Sequence, residues 1–260
     1  MVIRRIRDHV ADHNWFAVAV DVGIVVLGVF LGTQVSNWNA NRLDRAKAVE
    51  LRSRLLSELR FNQLQYHQQW LYYLAARRHG LAALDALGQG DAKLGEPFLI
   101  DAYQATQMDL TPPRHFVFDG LVSNGLLNLV GDARVQELTS QYYLSLATDG
   151  PQLSEAPLYR DQLRSIMPYP VQAAIRARCG DRNVTVGGEV VGQTLPPDCR
   201  LGLSPAQIDD ALRRIRRGAL EQPLTRYLSA LDQKINLLRG GAQNDALIEA
   251  LDGKSTHRPT

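Results

Sequence analysis

The sequence predicts a mainly α protein: one N-terminal transmembrane helix running into a long amphipathic helix, then a helical soluble domain with one small β-hairpin. Three observations predict it. Trp15 to Val35 is an apolar run of 21 residues, and a helix needs roughly 20 to cross the hydrocarbon of a bilayer. From Asn39 the chain has neither glycine nor proline until Gly80, and Leu51, Leu55 and Leu59 recur at helical spacing. The clearest strand signal is "VTVGGEVV", two short β-prone runs around the turn pair Gly187-Gly188.

The apolar run is longer than the core of a secretory signal, and the following "TQVSNWNANR" lacks a small-residue cleavage pattern. The reading is an uncleaved signal anchor. Arg4, Arg5 and Arg7 precede the run and Arg42, Arg45 and Lys47 follow it, so the local basic count is even. Long flanking domains translocate largely regardless of charge. The short N-terminal tail carries its basic charges with only Asp8 and Asp12 against them, so the expected topology is a cytoplasmic tail over 1–14, a span over 15–35, a domain outside the cytoplasm over 36–252 and a frayed tail over 253–260.

The length of 260 residues suits one span and one sizeable soluble domain. A net charge of +2 gives no basic excess with which to hold nucleic acid. Cys179 and Cys199 bracket the hairpin. A bridge between them would contribute about 3 kcal/mol through the lost entropy of the unfolded chain, and it requires an oxidising compartment. No second Cys/His pair stands near enough for zinc, and no cofactor is expected.

Along the soluble part, "GQGDAKLGEP" breaks the long helix around 88 to 97. A helix is expected over 97 to 108, and "LTPPR" punctuates before the next. "HFVFDGLVSNGLLNLVGDARVQELTSQYYLSL" reads as an apolar helix, a glycine-marked turn and a second helix N-capped by Asp132. "DGPQLSEAP" reads as a loop, and a helix follows to about Arg178, disturbed by Pro168 and Pro170. Ser204-Pro205 is an N-cap with proline at the first helical position. Two more helices take the chain to "LDGK".

Asp21 stands six residues inside the apolar run, about 9 Å along the axis. A buried acid there costs up to roughly 3 kcal/mol, which the surrounding Val, Ile, Leu and Phe can offset. At 100° per residue Asp21, Gly28 and Gly32 share one stripe with Ala17 and Val25. Gly28 and Gly32 have the small-xxx-small spacing that lets helices approach closely. The stripe predicts a helix-helix interface, with a second copy or a multi-pass membrane protein as partner. In a sharper variant, Asp21 carries protons at such an interface, as in proton-driven stator complexes.

Two segments resemble a bacterial single-pass membrane family of unknown function. The first is "VDVGIVVLGVFLGTQVSNWN", with Asp21, Gly28, Gln34 and the closing Asn37-Trp38-Asn39. The second is "FDGLVSNGLLNLVGDARVQELTSQYY", with its Ser123-Asn124-Gly125 turn and the pair Tyr142-Tyr143. The resemblance covers under a fifth of the chain. It implies single-pass placement and a helical domain on the periplasmic side, and it implies no activity.

No H-E-x-x-H, G-x-S-x-G, S-x-x-K or phosphate-cradling glycine loop occurs. His115 and Asp119, four apart in "RHFVFDG", are the pair an unrecognised membrane-tethered enzyme would use. Arg213, Arg214, Arg216 and Arg217 form a basic cluster suited to anionic lipid heads or an acidic partner, or simply a solvated face. The preferred expectation is a protein that acts by interaction (self-association, scaffolding or envelope accessory work) rather than by catalysis.

Overall fold

The computed structural model describes residues 15–241 and 244–252; the expected tails at 1–14 and 253–260 lie outside them. The fold is mainly α with one two-stranded hairpin. The membrane-span candidate and the amphipathic helix are a single element, α1 (Trp15–Gln89). The chain divides into two compact units, residues 1–53 and 54–260.

In the first unit the apolar part of α1 has no cover. Ile24, Val25, Leu27, Val29, Phe30 and Leu31 are each more than half exposed. In the second unit α1 turns one face inward, and Leu55, Leu59, Tyr72, Tyr73 and Ala76 are almost fully buried, as the leucine spacing predicts.

After Gly90, whose φ of 82° turns the chain, come a 3₁₀ turn and α2 (Glu96–Gln104). This short helix is central, packing against α5 (Leu158–Ile166), α6 (Tyr169–Cys179) and α7 (Pro205–Arg217). The helix expected over 97 to 108 thus ends early, and residues 109 to 114 cross α1 as an extended strap. Pro112 and Pro113 lack N–H groups, which rules out regular pairing. Side-chain amides from α1 satisfy its carbonyls instead: Asn62 donates to Arg114 O at 2.8 Å, Gln65 to Pro112 O at 2.9 Å and Gln69 to Thr111 O at 2.7 Å. These three polar side chains are buried at helical spacing, and the strap is what permits their burial.

α3 (Phe116–Ser123) ends in a Schellman cap. Gly125, at φ 65°, donates to Val122 O, and Leu126 donates to Leu121 O at 2.8 Å. α4 (Ala133–Ser154) begins where expected, with the Asp132 carboxylate accepting from Val135 N at 3.0 Å. It ends later than expected. The "DGPQ" stretch read as loop is helical, with Pro151 inside, and Lys234 Nζ donates to Leu153 O at 2.7 Å in the last turn. That bond satisfies one carbonyl the helix end leaves open and places a cation at the negative end of its dipole.

The helix expected as far as Arg178 is two, α5 and α6, divided at Met167-Pro168 because the residue before proline disfavours helical backbone. Then β1 (Arg182–Val186) pairs antiparallel with β2 (Glu189–Thr194) around Gly187 and Gly188, with φ of 60° and 86°. Both positive values suit the tight turn that matches strand twist. Cys179 and Cys199 are disulfide-bonded, with Cα atoms 5.7 Å apart.

Ser204 caps α7 reciprocally with Gln207. α8 (Glu221–Gly241) packs on α4 and α5, and α9 (Asp245–Asp252) packs on α4. The end of the described chain returns to α1: Asn244 Nδ2 donates to Leu59 O at 3.0 Å, and Arg60 pairs with Asp252 at 2.7 Å.

Candidate functional sites

Among the described residues, three places gather the residues singled out in the sequence or enclose a cavity. The first is the stripe on α1. Asp21, Val25, Gly28 and Gly32 lie within the helix, as does Ala17. A methyl group built on Gly28 or Gly32 would meet no other atom within 4 Å, so the small-residue groove is open. Gln34, Asn37, Trp38 and Asn39 are also exposed, Trp38 by 65%. Among the described residues α1 holds the one segment long and apolar enough to cross a membrane, and none of it is buried.

The second place gathers the other motif. Glu58 on α1 is only 5% exposed. It accepts from Val117 N at 2.8 Å and Phe118 N at 3.4 Å in the first turn of α3, and from the Tyr143 hydroxyl at 2.5 Å. Phe118 stacks on Tyr143 at 4.1 Å, with Tyr142 edge-on to Tyr143 at 5.0 Å. A carboxylate at a helix N-terminus meets open N–H groups and a favourable dipole. The Tyr-Tyr pair and the "FDG" helix therefore meet at one buried acid, while Ser123 and Gly125 build the cap that ends α3. Burial pushes the Tyr142 hydroxyl up to about 12, and burial together with the Glu58 carboxylate pushes Tyr143 further in the same direction. This cluster fastens α3 and α4 to α1.

The pair His115/Asp119 is a bond of 2.6 Å on open surface, with side chains 55% and 59% exposed. A better-oriented imidazole went unnoticed in the sequence. His79 Nδ1 lies 2.7 Å from Asp101 Oδ1, its side chain is 8% exposed, and its Nε2 is buried without a partner among the described residues. The two come from α1 and α2, 22 residues apart, so no local spacing announces them. The basic cluster on α7 is half neutralised: Asp210 is shared by Arg213 and Arg214, and Asp91 pairs with Arg216 at 2.9 Å.

The third place is a cavity of about 480 Å³ in the second unit, between the α4–α5 junction and α8. Tyr73, Tyr159, Tyr227, Leu158, Leu231 and Met108 give it apolar walls. Tyr159 stacks on Tyr227 at 5.7 Å, and the Tyr159 hydroxyl is anchored on Ala102 O at 3.2 Å. The polar wall groups include Lys234, Arg226, Glu155 and Gln162. Lys234 Nζ stands 5.0 Å from the centre of the Tyr73 ring. Burial holds its ammonium below the usual lysine range, against the opposing pull of the Glu155 charge.

No protein-family model matches the chain, and neither the curated proteins nor the solved structures contain a match.

Proposed function

We propose that the chain is a single-pass bacterial inner-membrane protein, with a cytoplasmic N-terminus and a periplasmic helical domain, that works by interaction rather than by catalysis. The observation that carries this reading is the uncovered apolar length of α1, with its open stripe of Asp21, Gly28 and Gly32. That much exposed apolar surface is unfavourable in water and favourable in lipid. A carboxylate beside a small-residue groove suits a helix partner that supplies a hydrogen bond, whether a second copy or a multi-pass protein taking protons from Asp21. The Cys179–Cys199 bridge supports the periplasmic side, since it persists only under oxidising conditions.

The test has two arms. In intact cells, a membrane-impermeant thiol reagent should label Cys179 and Cys199 only after reduction; labelling that needs lysis would reverse the topology. Crosslinking in membranes should recover a complex that Gly28→Leu and Asp21→Asn each weaken. Complexes unchanged in both variants would remove the stripe from the function.

A further inference from the structure

We propose that the cavity between the α4–α5 junction and α8 binds a small amphiphilic carboxylate, with its head at Lys234 and its apolar body against Tyr73, Tyr159 and Tyr227. This site does not depend on the membrane stripe.

Three observations converge on it. The volume, about 480 Å³, lies in the range of pockets that enclose a small organic molecule. Its walls are mostly aromatic and aliphatic, and the tyrosine rings are held in place by stacking and by the bond from Tyr159 to Ala102 O. Such walls contribute affinity to an apolar body without needing to rearrange.

The third observation is the charge. Lys234 is a partly buried ammonium with three N–H donors. One goes to Leu153 O and the ring of Tyr73 lies beside the group, yet it forms no ion pair among the described residues. Capping α4 accounts for a single donor. It does not account for a partly buried cation, unpaired among the described residues, on the wall of a mostly apolar cavity, where an anionic oxygen would gain a charge-assisted bond. Arg226, exposed on the same wall, adds a second positive charge against the single negative charge of Glu155.

A carboxylate fits this arrangement better than an alcohol or an amine. An alcohol leaves the ammonium uncompensated, and an amine sets like charges together. The cavity belongs wholly to the second unit.

The experiment uses the full chain in nanodiscs of zwitterionic lipid, titrated calorimetrically with octanoate, octanol and octylammonium, with empty discs subtracted. Octanoate should bind saturably, and the neutral and cationic analogues at least about tenfold more weakly, as loss of a bond to a charged group implies. Lys234→Met keeps the apolar stem and should weaken octanoate about tenfold while leaving octanol unchanged. Should that variant fold poorly, Ala230→Trp fills the cavity from the exposed face of α8 and leaves the Leu153 bond intact. It should abolish saturable octanoate binding. No saturable octanoate binding above empty discs, equal binding of all three probes, or binding undiminished in either folded variant would overturn the proposal.

Discussion

The hydroxyl of Tyr143 donates a 2.5 Å hydrogen bond to the Glu58 carboxylate, joining residues 85 apart in sequence at a point that also receives the first amides of α3. Three segments converge on one buried acid, so its two ends should differ in what they cost to remove. Tyr143→Phe deletes one donor and leaves Glu58 with its backbone partners, a loss of about 1–2 kcal/mol. Glu58→Ala strands the Tyr143 hydroxyl and two amides together and should cost about 3–5 kcal/mol. Urea unfolding of the purified chain followed by circular dichroism would separate them. Equal losses would mean that the carboxylate holds α3 no better than water does.

Burial raises Tyr66, Tyr72, Tyr73, Tyr143, Tyr159 and Tyr227 above the ordinary tyrosine value of 10.0, with neighbouring acids adding to the effect at several of them. The unfolded chain releases these protons first. It therefore binds fewer protons than the folded chain above pH 10, and stability falls as pH rises through that value. Each tyrosine contributes up to about 1.4 kcal/mol per pH unit in that window. Thermal scans of a Tyr169→Phe variant, which lacks the exposed tyrosine, should show a melting point that drops steeply above about pH 10, with tyrosinate absorbance of the buried rings appearing only on unfolding. Tyrosinate that appears well before unfolding would show that these hydroxyls are not shielded.

Two glycines should tolerate alanine poorly, for different reasons. At Gly125 a methyl group has space, but φ is 65°, so the loss should be about 1–2 kcal/mol from backbone strain alone. At Gly192, with φ 152°, a methyl would also sit 2.8 Å from Gln68 Cγ and 3.3 Å from Asp109 Oδ2. Gly192→Ala should therefore cost more than Gly125→Ala. It should also loosen the hairpin, visible as faster amide exchange at Gln193, whose N–H bonds Asp109 at 3.2 Å.

Much of the architecture could be read along the chain because its signals are local. The leucines at 51, 55 and 59, the Asp132 and Ser204 caps, and the Gly187-Gly188 turn each act within a few residues, and each falls where expected. The misreadings arise where distant partners override local preference. Pro151 marks a loop until Lys234, 81 residues from its acceptor Leu153, holds the helix end together. Asn62, Gln65 and Gln69 look like a solvated face until the proline strap lies across them. The cavity has no local signal, because its walls come from residue 73, residue 108, residues 152 to 162 and residues 222 to 237. Lys234 alone reads as one more surface lysine.

The return of residues 244–252 to Leu59 and Arg60 sets an order on biogenesis. The earliest part of the domain to be synthesised, the stretch of α1 after Arg54, meets partners up to 192 positions downstream. Contacts of such separation form late, since the intervening loop must close before they contribute. The stretch of α1 from Leu59 to Gln63 thus lacks these last partners until nearly 200 further residues have left the ribosome. A nascent chain in that condition is threaded easily but aggregates easily as well. Deletion of residues 244–252 would remove the bonds of Asn244, Asp245 and Asp252 to α1 and leave that closure unmade.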